Sequence, residues 1–274
     1  MSKPLFNTVS IVGVGLIGGS LGLTIKKGKL ARLVIGVARR KGTLQKAFHK
    51  KAIDLGMLDA AEGVKNADLV ILCTPVSTIA VHLQKIAPHL KKGAVVIDVG
   101  SSKTLIQKEA KKYLRKNLFV GCHPMAGSEK TGIENATADL FKNSVCFLTA
   151  RDSRVENFWK QLGARPVFID AAKHDLLVAG TSHLPHAIAF SLFQTEKKFP
   201  QNLPLNPSIR ELARLAQSDP ELWADIFISN REALLEAIFD FEKKGIHPLK
   251  NFLRLGRKAD LSRFISLSNK NALL

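Results

Sequence analysis

The sequence predicts an α/β domain with a doubly wound, mostly parallel sheet over residues 1–170, followed by an all-α domain over residues 171–274. Up to Asp170, short β-branched runs alternate with helical stretches, which is the pattern of βαβ units. From Ala171 onward the segments are long and amphipathic, and none has the pattern of a strand. The 274 residues are 46% hydrophobic and 23% charged. These values are typical of soluble globular proteins and exclude a disordered chain or a collagen-like fibre.

In chain order, strands are predicted over residues 9–14, 33–37, 69–72, 94–99, 118–120, 145–149 and 167–169. Helices are predicted between them over residues 16–27, 43–51, 77–90, 103–116 and 155–162. In the second domain, Asp219 and Pro220 mark a helix start, because Asp is a favoured N-cap and Pro suits the first helical position. We expect that helix to continue through 223–241 and to be broken over 245–248. Another helix is expected to run to about Leu267, and 200–207 is predicted as a loop.

The charge is strongly basic and unevenly distributed. The net charge is +18, and residues 1–53 carry eleven basic side chains but no acidic one. Such a surface attracts an anion, although a solvated basic face explains much of the excess equally well. The three cysteines, Cys73, Cys122 and Cys146, have no paired spacing and suggest a reducing compartment. Residues 4–25 are uncharged, but their five glycines argue against a signal peptide or a membrane span, so a cytoplasmic protein is expected.

A glycine-rich turn follows the first predicted strand and opens a predicted helix. It has the GxGxxG pattern, formed by Gly13, Gly15, Leu16, Ile17 and Gly18. In this context the pattern is specific for a Rossmann-like dinucleotide site. Gly13 permits the tight turn, Gly15 lets the backbone approach a pyrophosphate, and Gly18 lets the helix pack on the strand. The alternative is a glycine-rich core turn without a ligand.

The second half of the dinucleotide fingerprint differs from that of an NAD site. An Asp or Glu normally lies about 20 residues further on, where it binds the ribose 2′-hydroxyl. Here Ala38 is followed by Arg39 and Arg40, and no acid is near. These arginines suit a 2′-phosphate, so NADP is the predicted cofactor and NAD is less favoured. Solvated loop cations are the alternative.

Polar residues follow several predicted parallel strands, at the edge where such sheets bind ligands. Thr74 and Pro75 follow the third strand and are candidate cofactor contacts, Ser101 follows the fourth, and His123 follows the fifth. A lone histidine is usually structural. At this edge, however, His123 is a candidate general base, because an imidazole pKa of about 6.5 suits proton transfer near neutrality.

Two further clusters lie in the second domain. His183 and His186 are three residues apart in an apolar helix, a spacing that places both imidazoles on one face. No third ligand has suitable spacing, so we predict no metal. A satisfied buried histidine is the alternative for one of the two. Arg214 is a candidate for gripping a carboxylate, against the alternative of ordinary surface charge.

Several motifs together resemble the prephenate/arogenate dehydrogenases of tyrosine biosynthesis. They are GVGLIGGSLG at 13–22, LCTPV at 72–76, DVGSSK at 98–103, GCHPMAGSEKTGIENA at 121–136, HD at 174–175, TSHLPHAIAF at 181–190 and RLAQSDPELWADIF at 214–227. The combination of HPMAG with a downstream SHLPH is specific, and the matches keep their order along the chain.

The resemblance implies an oxidative decarboxylation, in which hydride leaves a cyclohexadienol for the nicotinamide, the hydroxyl loses a proton and CO2 departs. It also implies roles for individual residues. His123 accepts the proton of the substrate 4-hydroxyl, Ser101 orients that hydroxyl, and Arg214 holds a substrate carboxylate. His186 lines the substrate pocket, with His183 as a weaker candidate. The helical domain resembles the family's dimerisation domain, which implies a homodimer.

The chain also departs from the family pattern. Residues 203–208 replace a glycine-rich turn found in many relatives, and Glu211 stands where Asp is frequent. No mutase is expected before residue 9 and no regulatory module after Leu274.

Other functions stay open on the residues alone. One is another NADP-dependent β-hydroxyacid or imine reductase of similar domain order, against which HPMAG and SHLPH argue. The other is a non-catalytic NADP-sensing or nucleic-acid-binding protein, suggested by the basic charge. Residues 1–53 contain only two aromatic residues, Phe6 and Phe48, so base-stacking surfaces are poor. We therefore expect no nucleic-acid or membrane partner. The choice between prephenate and arogenate stays open.

Overall fold

The structure, a computed structural model, describes residues 3–127, 130–195 and 207–271. In the first half of the chain the elements are β1 (Phe6–Val12), α1 (Leu16–Lys27), β2 (Ala31–Val37), α2 (Lys41–His49), β3 (Leu55–Met57), α3 (Ala60–Val64), β4 (Leu69–Leu72), α4 (Val76–Ile86), β5 (Val95–Asp98), α5 (Thr104–Tyr113), β6 (Leu118–Pro124), β7 (Val145–Leu148), α6 (Ser153–Gln161) and β8 (Arg165–Phe168). In the second half they are α7 (Ala171–Val178), a π-helical turn (Ala179–His183), α8 (Leu184–Thr195), α9 (Pro207–Ala216), α10 (Pro220–Ser229), α11 (Arg231–Asp240), a second π-helical segment (Phe241–Ile246), α12 (His247–Arg254) and α13 (Lys258–Asn271).

The strands form one sheet in the order β3-β2-β1-β4-β5-β6-β7-β8. All neighbouring pairs are parallel except β6 and β7. The central strands β1, β4 and β5 are almost entirely buried, and helices cover both faces with two separate apolar clusters. The predicted Rossmann-like fold class, with a following all-α part, is therefore confirmed.

Two short elements were missed by the sequence analysis. β3 has only three residues, Leu-Gly-Met, and so lacks the β-branched run that signals a strand. α3 has five residues, among them Gly63, and begins where the Asp59 carboxylate accepts a hydrogen bond from the Ala61 amide. Neither segment is long enough to show a period.

The fifth predicted strand is longer than expected, because β6 runs on to Pro124. Its first half pairs with β5 in parallel, and its last three residues pair with β7 in antiparallel fashion. His123 therefore lies inside the end of a strand, paired with Phe147 of β7, and not in the loop beyond it.

The helical half differs from the prediction at three places. The helix predicted to run through 223–241 is interrupted at Asn230, whose backbone leaves the helical region at φ −120°. The predicted break over 245–248 is wrong, because the chain stays helical through a π-helical segment into α12. The interruption lies instead at 255–257, before α13. The predicted loop over 200–207 lies outside the described residues except for Pro207, which begins α9.

The run from α7 to α8 is continuous through the π-helical turn. By length and composition, residues 171–195 could cross a membrane, with a mean hydropathy of 1.3 in the most apolar window. The same run carries the buried polar residues His174, Asp175 and His183, which contact other parts of this chain. The absence of a membrane partner stays a prediction.

Candidate active site

A cleft of about 590 Å3 lies between the carboxyl edge of the sheet and the helical domain. Both halves of the chain line it, so neither half forms the cleft alone. Among the predicted site residues it brings together Gly15, Leu16, Ile17, Thr74, Pro75, Ser101, His123, His186 and Arg214. Gly13, Gly18, Arg39, Arg40 and His183 are not among the lining residues.

The glycine loop has the geometry that a dinucleotide requires. Gly13 has φ +99°, and a Cβ there would meet the Cys73 carbonyl oxygen at 2.6 Å. A Cβ on Gly18 would lie 2.0 Å from the Gly13 carbonyl oxygen, so the helix could not approach the turn. A Cβ on Gly15 would meet nothing within 4 Å, so the space beside this backbone is open. The first turn of α1 carries no acidic residue, and its positive end suits a phosphate.

The two arginines predicted to bind a 2′-phosphate lie at the end of β2. Both are exposed, and Arg40 is the N-cap of α2. The adjacent strand end is tied to the glycine loop, because the Gly13 amide donates to the Val37 carbonyl at 2.9 Å. The arginines therefore flank the site outside the cleft, on the side where the second strand of a dinucleotide fold meets the adenosine ribose.

His123 is held in an environment that keeps its imidazole neutral. Burial, followed by the neighbouring His174, Lys103 and His183, lowers its pKa well below the usual 6.5. A neutral imidazole has a lone pair that can accept a proton at pH 7. Ser101 lies on the same wall of the cleft, after β5. Both side chains therefore face the same cleft.

A buried ion pair lies behind His123, and the sequence analysis did not identify it. The ammonium of Lys103 contacts the carboxylate of Asp98, and both side chains are at most 1% exposed. The Asp98 carboxylate also accepts the Gly100 amide at 2.8 Å. The pair fixes the loop that carries Ser101, since its two members flank that loop. The DVGSSK motif contained both residues, but spacing alone does not show that they pair.

His174 and Asp175 form a second polar pair beside His123, and their HD motif carried no predicted role. His174 is completely buried, and its Nε2 lies 2.9 Å from Nδ1 of His123. On its other side, Nδ1 lies 2.8 Å from Oδ1 of Asp175. Their HD motif was noted, but the sequence does not reveal a contact across 51 residues.

The two histidines of SHLPH have different surroundings. His183 is 1% exposed and its Nδ1 lies 3.2 Å from Nδ2 of Asn230, so it is the satisfied buried histidine. His186 lines the cleft and stacks on Trp223, with ring centroids 3.5 Å apart. Both rings contact Trp223, as expected for histidines on one face.

Arg214 supplies a positive charge to the helical wall of the cleft. Its Nε lies 3.3 Å from the Glu211 carboxylate, and both side chains are more than half exposed. Such exposed pairs are weak, so the guanidinium can exchange this partner for a substrate carboxylate. Burial lowers the pKa of His186, and the positive charge of Arg214 lowers it further. Within the described ranges, no three His, Cys, Asp or Glu side chains are grouped to hold a metal ion.

Comparisons with known proteins agree on one family. The family profile described as "Prephenate dehydrogenase, nucleotide-binding domain" matches residues 21–168, and the one described as "Prephenate dehydrogenase, dimerization domain" matches residues 170–267. A prephenate dehydrogenase of Lactococcus lactis is 33% identical over 86% of this chain and 68% of its own length. A cyclohexadienyl dehydrogenase of Zymomonas mobilis is 31% identical over 86% of this chain and 85% of its own length.

A solved structure is similar over almost the whole chain. The prephenate dehydrogenase of Aquifex aeolicus, in complex with hydroxyphenyl propionate and NAD+, superposes with a TM-score of 0.87. It is 29% identical, and the match covers 99% of this chain and 98% of that one.

Proposed function

The chain belongs to the prephenate/arogenate dehydrogenase family and is an NAD(P)-dependent dehydrogenase, and on that premise we propose that it oxidatively decarboxylates prephenate or arogenate with NADP as the cofactor. The products are 4-hydroxyphenylpyruvate and tyrosine, respectively. The single observation that carries the proposal is the cleft that unites the glycine loop with His123 and Arg214. A dinucleotide, a base and a carboxylate-binding group are the three parts that this reaction needs.

The residues present fit a nicotinamide dinucleotide. The open space beside Gly15 and the unopposed N-terminus of α1 would receive the pyrophosphate. Thr74 and Pro75 lie at the end of the neighbouring strand, on the same cleft wall. When bound, the nicotinamide supplies hydride acceptance. Aromatisation of the substrate ring provides much of the driving force, so the chain's own task is alignment, proton acceptance and anion binding.

In this proposal, each protein group has one task. Neutral His123 accepts the proton of the substrate hydroxyl at a ring nitrogen, and Ser101 hydrogen-bonds near the same hydroxyl to orient it. Arg214 binds a substrate carboxylate, where a planar guanidinium can make two parallel hydrogen bonds. His186, fixed by stacking on Trp223, lines the same pocket. His183 has no direct task, because it is buried away from the cleft.

NADP is the proposed cofactor because Arg39 and Arg40 flank the end of β2, where an NAD site carries an acid. The Aquifex relative was solved with NAD+, so this choice separates the present chain from that one. Guanidinium groups favour a 2′-phosphate through charge-assisted hydrogen bonds.

The proposed assembly is a homodimer formed through the helical half. This part of the chain leaves large apolar side chains in contact with solvent. They include Leu177, Leu235, Phe239, Leu253 and Leu267, which are 41% to 63% exposed. Large apolar side chains exposed in this number suit a surface covered by a partner, and the matching family profile is described as a dimerization domain.

The proposed activity is tested in four mixtures, each of which combines NADP or NAD with prephenate or arogenate. The absorbance of the reduced nicotinamide reports turnover. His123→Asn is expected to keep the fold and to bind NADP. Its turnover should fall about 10²- to 10⁴-fold, the usual contribution of a positioned general base. Tm and NADP binding by calorimetry serve as its controls. Near-normal turnover in that variant would remove His123 from the mechanism, and silence of the wild type in all four mixtures would overturn the assigned reaction.

A further inference from the structure

Three side chains form a continuous chain that runs from the wall of the cleft into the interior. His123 contacts His174 at 2.9 Å, and His174 contacts Asp175 at 2.8 Å. His123 lies on the sheet and lines the cleft, whereas His174 and Asp175 belong to α7 of the helical half and do not line it. The His174 ring is held further by edge-on packing against Phe147, with ring centroids 5.6 Å apart.

The carboxylate at the end of this chain is ionised and fixed. Oδ1 of Asp175 accepts the Lys103 amide at 2.7 Å, and Oδ2 accepts the Thr104 amide at 2.8 Å. These bonds and the contact with His174 lower the pKa of Asp175, although burial alone would raise it. An ionised carboxylate can only accept hydrogen bonds. Its contact with Nδ1 of His174 therefore requires a proton on that nitrogen.

The remaining protons follow by elimination. With the proton of the His174 ring on Nδ1, its Nε2 carries a lone pair and acts as an acceptor. Nδ1 of His123 must then donate to it, so that His123 is protonated on Nδ1. This leaves Nε2 of His123 as the ring nitrogen with a lone pair for a substrate proton. Asp175 thus specifies, through His174, which nitrogen of His123 is basic.

We propose that His174 and Asp175 are positioning residues that hold His123 in the Nδ1-protonated tautomer and stabilise its imidazolium after proton transfer. When Nε2 of His123 takes the proton, the positive charge faces His174 and, beyond it, the Asp175 carboxylate. The Nδ1 proton can move along the 2.9 Å contact to Nε2 of His174, which places the charge beside the carboxylate. No atom is gained or lost in this shift. The inference rests on the proposed role of His123.

The decisive measurement is a long-range 15N–1H NMR spectrum of the histidine rings, which reports the protonation of each nitrogen without requiring turnover. In the wild type we expect His123 to carry its proton on Nδ1, with Nε2 bare. His174→Phe keeps a planar ring but removes the acceptor, and His123 should then move toward the Nε2-protonated form. Protonation of His123 on Nε2 in the wild type would overturn the proposal, even if the chain proved to have no dehydrogenase activity.

Steady-state kinetics test the proposal independently of the spectrum. His174→Phe should lower kcat about 10²-fold, the lower range for a general base, with KM and NADP affinity within about twofold. If His174 acts only through His123, adding His174→Phe to His123→Asn should cost nothing further. Full turnover by His174→Phe, or a multiplicative loss in the double variant, would contradict the proposal.

A matched aspartate separates this role from helix capping. Asp170 caps α7 by accepting two backbone amides, as Asp175 caps α5, but within the described part of the chain its carboxylate contacts no histidine ring. Asp170→Asn and Asp175→Asn therefore both remove a capping charge. Only Asp175→Asn should change the His123 ring spectrum and kcat. Equal effects of the two variants would reduce Asp175 to a structural cap and refute its part in the proposal. If His174→Phe does not fold, this pair still decides the question.

Discussion

At the scale of single residues, the arginines after β2 provide the sharpest test of the cofactor. Arg39→Ala should weaken NADP binding about tenfold or more, because a charge-assisted hydrogen bond contributes about 1.5–3 kcal/mol. The affinity of the variant for NAD should stay within about twofold of the wild-type value, since NAD has no 2′-phosphate. Calorimetric Kd values for both cofactors check this.

The control for that substitution is Arg32→Ala, which removes the same charge from β2 itself. Arg32 is exposed near the other end of β2. If Arg32→Ala weakens NADP binding as much as Arg39→Ala does, the effect arises from the overall positive charge of this surface and not from a contact with the 2′-phosphate.

His183 gives a prediction on stability against pH. Burial lowers its pKa to about 4, although the Asp175 charge opposes this. Between pH 4 and the unfolded value of about 6.5, the unfolded chain binds a proton that the folded chain does not. The contribution of this group is therefore fully present above pH 6.5 and falls as pH is lowered toward 4, by about 3 kcal/mol at most.

The measurement is the free energy of unfolding at several pH values in denaturant, for the wild type and for His183→Gln. The variant lacks the titrating group, so its stability should fall less steeply below pH 6.5. His123 and His186 also have lowered pKa values, so some acid sensitivity should persist. Parallel curves for the two proteins would show that His183 does not titrate in this range.

At the scale of elements, the turn between β1 and α1 separates a folding role from a binding role. Gly15→Ala should leave Tm almost unchanged, because its Cβ enters open space. The same Cβ would occupy the approach of the pyrophosphate, so dinucleotide affinity should fall at least about tenfold. Thermal unfolding and calorimetry on the same sample test both halves of the prediction.

Gly42→Ala is the matched substitution, because a Cβ there also meets nothing within 4 Å. It lies inside α2 and should stabilise the chain slightly without changing dinucleotide affinity. Unchanged affinity in Gly15→Ala as well would contradict a pyrophosphate at this turn.

The sequence was sufficient for the elements with a strong local pattern. β1, β2, β4 and β5 are buried β-branched runs, and GxGxxG has a fixed relation to its strand and helix, so both were predictable. β3 lacked such a pattern. The break at Asn230 was missed because it depends on tertiary contacts. The side-chain amide of Asn230 donates to the Asp175 carbonyl at 2.8 Å and also faces His183.

The candidate site shows the same division. His123, Ser101, His186 and Arg214 belong to motifs, and the structure brings all four to one cleft. The contacts of His174 with His123 and of Lys103 with Asp98 depend on how the two halves and the sheet edge pack. The first contact spans 51 residues and the second spans five, and in neither case does the spacing along the chain show that the two side chains meet.

At the scale of the whole molecule, the exposed apolar face of α11 tests the assembly. Light scattering at micromolar concentration should give twice the chain mass of 30.0 kDa. Leu235 and Phe239 lie one turn apart, and each is about 60% exposed. A variant with both replaced by Glu should shift toward monomer, because burying two charges at an interface is costly.

Phe48→Glu is the control for that variant, since Phe48 is similarly exposed but lies on α2 in the other half. It should leave the mass unchanged. A wild type that scatters as a single chain would refute the homodimer.

The N-terminus of α5 has a consequence for how the molecule is made. The side chain of its N-cap residue, Lys103, makes no capping hydrogen bond. The carboxylate that accepts the Lys103 and Thr104 amides belongs to Asp175, more than 70 positions later in the chain. During synthesis β1 to β5, and α5 after them, leave the ribosome well before that carboxylate does. The start of α5, and with it the segment bearing Ser101, then waits for a residue that follows the last strand of the sheet. A nascent chain would therefore form the first strands of its nucleotide fold before the loop beside Ser101 is fixed.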